Sequence, residues 1–202
     1  MSLSLEKLKN KKRIIISMFV FWLVFLAILF VHVATGTARL RTDFSISKYV
    51  GLSFPSAIAF LITNIFVSVA IWCHVRGTVK NNTVRMLLKI IIVMLIGLSL
   101  FPIGLFDNII PEPVLFGRTP ISLLHVLTSR TMFIVMAALA VYIFFVERKT
   151  EFTMRSKVAI IFAIYAMICL ALFIFFPQVF WGLNILIESL YIAIFFAFVY
   201  VL

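Results

Sequence analysis

Residues 123–145 read LLHVLTSRTMFIVMAALAVYIFF. A helix of roughly 20 predominantly apolar residues crosses a hydrocarbon core about 30 Å thick, and this stretch is long enough. Yet it carries His125 and, five residues on, Arg130. A charged side chain near mid-bilayer costs on the order of 3 kcal/mol, and it faces the bundle interior, a partner charge or water. What Arg130 meets therefore decides what this segment does besides spanning.

The rest of the chain places the segment in its class. Its 202 residues are 64% hydrophobic and only 12% charged, with a mean hydropathy of +1.22, which does not describe a domain that folds in water. Six stretches have spanning length, near residues 14–35, 54–75, 86–106, 121–146, 158–176 and 181–202. The connections are short, with no Ser/Gly linker, internal repeat or polar block. The expectation is an all-α polytopic membrane protein, a six-transmembrane-helix bundle forming one domain over residues 1–202.

A net charge of +11 would suggest nucleic acid in a soluble protein, but here its distribution has a topological cause. Cytoplasmic loops retain Lys and Arg. With the N-terminus inside, Lys7, Lys9, Lys11, Lys12, Arg13, Arg76, Lys80, Arg85, Arg148, Lys149, Arg155 and Lys157 fall on the inner side, against Arg39, Arg41, Lys48 and Arg118 outside. Both termini are predicted to be cytoplasmic, in a multi-pass protein of a bacterial plasma membrane, surrounded by membrane lipids and binding no nucleic acid.

The first apolar run is longer than the 7–15 residues of a signal-peptide core, so it reads as a retained span. Cys73 and Cys169 belong to different spans and form no CxxC or CxxCH, which gives no disulfide, zinc or haem signal. No HxxxH or HExxH spacing exists, and neither metal nor cofactor is expected. Asn81-Asn82-Thr83 matches a glycosylation acceptor but falls on the predicted inner side. Ser53 before Phe54-Pro55, and Thr119-Pro120, have the form of a cap and first helical turn. Pro102 is expected to kink or end the third span near the outer face. The loop from 107 to 120 mixes apolar and polar residues and is expected to fold over the bundle or lie at the interface.

Polar residues within the spans define a candidate site. Ser122, His125 and Ser129 share a face of the fourth span, with Arg130 about 100° further round. In the sixth, Asn184, Glu188 and Tyr191 form a second stripe. Arg130 lies about 15 Å and His125 about 7 Å below Pro120, and Glu188 about 10 Å below Trp181. Glu188 is the one acidic residue deep in a span, hence the predicted partner of Arg130. Asp107 is expected near His125 in depth, and Asn64 could contribute from the second span. Together these imply a pocket opening outward between the third, fourth and sixth spans, with His125 at the rim and Arg130 at the floor. An Arg130 sealed by packing, or reaching outward through lipid, would instead be structural.

The segments ISKYVG, GLSLFPIGLFD, TPISLLH and GLNILIESLY, in this order over six spans, resemble the membrane proteins grouped as domain of unknown function family 998. The resemblance covers nearly the whole chain and implies importance for Ser47, Gly51, Gly97, Phe101, Pro102, Asp107, Thr119, His125 and Glu188. The chain departs from the family's pattern at Asp107, which follows the Phe-Pro at a greater distance than usual. It departs also at Ser122, where glycine is common, and at Ser189, where arginine is frequent. The resemblance implies architecture and the location of a site, not a reaction.

Three functions are compatible with these residues. The first is binding of a lipid or small amphiphile, its anionic group held by Arg130, with Asp107, His125, Ser129, Asn184, Glu188 and Tyr191 around it. The second is a small transporter using Glu188 or His125 for proton coupling, although no inverted repeat is present. The third is a non-catalytic subunit or assembly factor with a structural Arg130–Glu188 clamp.

Overall fold

The computed structural model describes residues 2–101, 119–147 and 153–202. It is all-α, with helices α1 (Ser2–Ala34), α2 (Ile46–Val50), α3 (Phe54–Thr78), α4 (Asn82–Leu100), α5 (Pro120–Glu147), α6 (Met154–Phe175), α7 (Pro177–Gly182) and α8 (Asn184–Val201). Six of them are long and apolar enough to cross a membrane: Asn10–Ala34, Phe54–Thr78, Asn82–Leu100, Pro120–Val146, Met154–Phe175 and Asn184–Val201. The protein is an integral membrane protein of the multi-pass type.

The expected caps form. Ser53 accepts from the Ser56 N–H at the start of α3, and the Thr119 hydroxyl accepts from the Ser122 N–H at the start of α5; each satisfies a helix donor that has no intrahelical acceptor. Asn81 caps α4, accepting from the N–H groups of Thr83 and Val84, while its amide nitrogen donates to the Tyr142 hydroxyl of α5 at 3.2 Å. The first, third and fifth spans begin four residues earlier than expected, at Asn10, Asn82 and Met154, and two further boundaries differ. The third span ends at Leu100 instead of near 106, and Phe101, which precedes Pro102, sits at ψ 63°, because a residue before proline is driven out of the α region. The sixth span begins at Asn184 instead of 181, since a separate short helix, α7, fills the approach and the chain breaks at Leu183. The kink foreseen at Pro102 itself, the 107–120 loop and Asp107 lie outside the described residues, apart from the loop's last two positions.

The packing order follows from one buried seam per helix. On α1, Asn10, Ile14, Ser17, Phe21, Phe25, Ile28 and His32 are buried, at the three- and four-residue spacings that put side chains on one face. Phe21 stacks on Phe60 of α3 at 5.4 Å and on Phe196 of α8 at 5.8 Å. On α5 the seam is Ser122, His125, Met132, Met136, Leu139 and Ile143. Successive neighbours are α1, α3, α4, α5, α6, α8 and again α1, so the spans close into a ring. Residues near both chain ends meet at one end of it, where Lys11 lies over the Tyr200 ring at 5.0 Å and the Arg155 guanidinium donates to the Val201 carbonyl at 2.9 Å. Lipid tails are as apolar as the side chains, so helix association rests on packing and interhelical hydrogen bonds.

Candidate functional site

The predicted polar residues are better described by the partner each one takes. His125 is buried on the second turn of α5, and its Nδ1 lies 2.6 Å from the Phe101 carbonyl oxygen. A carbonyl can only accept, so Nδ1 carries the proton. This carbonyl stands at the C-terminal end of α4, where helix acceptors are left without intrahelical donors. His125 thus joins the end of α4 to the beginning of α5.

Tyr191 does the same between α8 and α5. Its hydroxyl donates to the Phe133 carbonyl at 2.7 Å, and its ring sits edge-on to Phe133 at 4.7 Å and to Phe162 of α6 at 4.9 Å. Tyr165, also on α6, donates to the Ile187 carbonyl of α8 at 3.0 Å. Three helices are tied by two tyrosines whose hydroxyls reach main-chain oxygen.

Glu188 is not paired with Arg130, and the predicted clamp is corrected here. The Oε2 atom of Glu188 accepts the N–H of Ile46, the first residue of α2, at 2.9 Å. In return the Thr42 carbonyl accepts the N–H of Ile185, in the first turn of α8, at 3.1 Å. Two helix N-termini with unfilled donors are therefore satisfied across one junction, by a carboxylate in one direction and a loop carbonyl in the other. Tyr49, fully buried, holds the loop in place: its hydroxyl accepts the Arg41 N–H at 2.7 Å and faces the Arg41 carbonyl at 3.1 Å.

Arg130 turns the other way. The α5 seam takes positions 122, 125, 132 and 136, which leaves residue 130 on the outward side. It is exposed, and its guanidinium lies 5.3 Å from the Phe173 ring centre and 6.0 Å from that of Trp181. Helical side chains lean toward the helix N-terminus, so the arginine climbs toward the end of the bundle formed by the close of α6 and by α7. Depth also separates the two charges. Because α8 starts at Asn184, Glu188 is about 6 Å below its helix start, whereas the Arg130 backbone is about 15 Å below Pro120. The ion pair whose two side chains are both described is Arg41–Asp43.

The remaining predicted members stay apart. Asn184 is buried at the first position of α8, and Ser129 is half-buried on α5. Asn64 donates to the Ser99 hydroxyl and so pins α3 to α4. The proposed pocket lay between α4, α5 and α8, but α4 and α8 are separated in the ring by α3 and α1 on one side and by α5 and α6 on the other. An enclosed cleft with Arg130 as its floor is not formed by the described residues. Sequence reasoning missed the acceptor role of Glu188 toward α2, since nothing marked ISKYV as a helix. It also missed the aromatic shelf of Phe173 and Trp181, which was hidden among 23 phenylalanines.

The ion pair stands on the loop between α1 and α2. Arg41 Nε donates to Asp43 Oδ1 at 2.9 Å and Nη2 to Oδ2 at 2.6 Å. The hydrogen bond from Arg41 holds the Asp43 carboxyl below its ordinary range, and the same bond raises Arg41. Comparison with protein-family models, curated proteins and solved structures gives no match to the chain.

Proposed function

We propose that the chain acts as a non-catalytic membrane protein, a subunit or assembly factor whose intramembrane polar residues hold its own helices in place. The observation that carries this reading is the Glu188 carboxylate bound to the Ile46 N–H. The residue best suited to proton coupling or to orienting a catalytic group is committed to a helix start. His125 and Tyr191 are committed to main-chain carbonyls in the same way. A reaction centre needs a nucleophile, a base and an orienting group within reach of one another, and the three residues are dispersed over different junctions. Kinship with domain of unknown function family 998 is part of the same proposal and rests on the order of the four sequence segments.

Arg130, exposed and reaching outward beside Phe173 and Trp181, meets the condition for a structural arginine, and amphiphile binding is the alternative that experiment must exclude. Arg130 has aromatic rings as its described neighbours, and cation–π contact recovers about 0.5–2 kcal/mol of an insertion cost on the order of 3 kcal/mol. An anionic amphiphile approaching from lipid would supply the difference. Native mass spectrometry of protein released from its membrane without detergent separates the two. The subunit reading expects a stoichiometric protein partner and no ligand that depends on Arg130. A chain found alone, with a small amphiphile lost in Arg130→Gln, would overturn it in favour of amphiphile binding.

A further inference from the structure

The α3–α4 hairpin, at the end of the ring that holds residues 10–13 and 200–202, borders an open groove of about 400 Å³ lined by Trp72, Arg76, Asn82, Arg85, Met86 and Lys89. Trp72 and Arg76 are one turn apart on α3. Asn82, Arg85, Met86 and Lys89 recur at three- and four-residue intervals on α4, so each group shares one helix face. The two faces converge because the turn through Val79–Asn81 is short and held: the Arg85 Nε donates to the Val79 carbonyl, which points the guanidinium into the hairpin. Its terminal nitrogens have no partner among the described residues. Lys89 lies 5.1 Å over the Trp72 ring. The carboxylates whose side chains are described, Asp43 and Glu188, are both at the opposite end, engaged by Arg41 and by Ile46.

The tendency of Lys and Arg to stay on one side of a membrane accounts for which end these cations occupy. It does not require three of them, from two helices, to line one groove. The geometry points to a binding site for a phosphate-ester anion in this α3–α4 groove, with Arg76, Arg85 and Lys89 as its ligands. Arginine guanidinium presents paired N–H groups that match phosphate oxygens, and Asn82 adds an amide donor. Trp72 and Met86, the latter 54% exposed, offer apolar surface beside the charges, as the glycerol and first methylenes of a lipid would need. Basic pockets between spans at this level take lipid headgroups. A soluble phosphate has the same recognition chemistry.

The site is independent of the subunit reading and of Arg130. The test is native mass spectrometry of the full chain titrated with phosphatidylglycerol, phosphatidylcholine and inorganic phosphate. Each cation that lines the groove contributes about a fivefold factor. The variant Arg76→Gln/Lys89→Gln, which leaves the Arg85–Val79 bond intact, should weaken phosphatidylglycerol roughly 30-fold. The control Lys12→Gln/Lys157→Gln removes the same charge from α1 and α6, outside the hairpin, and should change it by less than about threefold, because charges away from the groove are screened. Met86→Glu, at an exposed position, should abolish binding by placing a carboxylate among the cations, and provides the answer if the double variant fails to fold. Loss of phosphatidylglycerol with no displacement by inorganic phosphate supports a lipid source. Displacement by inorganic phosphate, with the same variant pattern, supports a soluble one. Equal losses in the double variant and its control, or equal binding of phosphatidylcholine, would overturn the site.

Discussion

The Glu188 carboxylate accepts the first peptide N–H of α2, that of Ile46, at 2.9 Å across 142 positions of sequence. An acceptor is what this contact needs. A negative charge adds to it only through the dipole of a five-residue helix, which is short and weak. Glu188→Gln, whose amide oxygen can still accept, should therefore melt close to the wild type. Glu188→Ala leaves a buried N–H without a partner and should lose about 1–3 kcal/mol. Thermal unfolding in a fixed detergent compares them, and equal losses for Gln and Ala would show that charge, not acceptance, is what matters.

His125 predicts a complementary pattern, because its Nδ1–H donates to the Phe101 carbonyl. Asparagine places an amide donor near the position of Nδ1, so His125→Asn should retain most of the stability that His125→Ala loses, again about 1–3 kcal/mol. Nitrogen NMR of labelled histidine should find the proton on Nδ1. A proton on Nε2 alone would be incompatible with the contact.

The orientation of the bundle can be read by labelling. Asp43 and Lys80 are exposed at opposite ends. In a background with Cys73→Ser and Cys169→Ser, an impermeant thiol reagent added outside should modify Asp43→Cys and leave Lys80→Cys untouched. The reverse pattern would place the basic end outside, contrary to the retention of positive charge in the cytoplasm.

The Arg41–Asp43 pair gives a pH dependence whose sign is fixed. Asp43 has a lowered folded-state value, chiefly through its hydrogen bond from Arg41. Its contribution is present above the ordinary value of 3.8 and is lost as pH falls through the lower folded value. Because the pair is exposed, the effect is small. The stability gap between wild type and Asp43→Asn should be constant near neutrality and close below pH 3.8. A gap that widens on acidification would exclude the linkage.

The six spans were legible because span length and apolar composition are set by the bilayer, and the caps at Ser53 and Thr119 were legible because their chemistry is local. The candidate site was legible only in part. Ser122, His125 and Ser129 do face the bundle, as their spacing required. Arg130 is one position beyond Ser129, and 100° was enough to carry it to the outer surface. Its pairing with Glu188 was inferred from scarcity, since no other acid lay deep in a span. That inference left out main-chain donors, which carry no signature in the sequence and here captured the carboxylate first. The α3–α4 groove was hidden for a related reason: Arg76, Arg85 and Lys89 are separated by a turn, and their convergence depends on how that turn closes.

The closed order of helices gives the bundle an uneven height. Across one diameter stand the spans of α1 and α5, of 25 and 27 residues; across another stand those of α4 and α8, of 19 and 18. At the helical rise these are about 38 and 40 Å against about 28 and 27 Å. At equal tilt α5 therefore overruns a core about 30 Å thick, whereas the α1 span begins with Asn10, Lys11, Lys12 and Arg13, polar residues that belong to the interface. Beside α5 the lipid must thicken or the helix must lean. One of the two shorter helices, α4, supplies four of the six residues lining the basic groove, so the end of the bundle where a bilayer's headgroups would meet it is also the end that carries its cations.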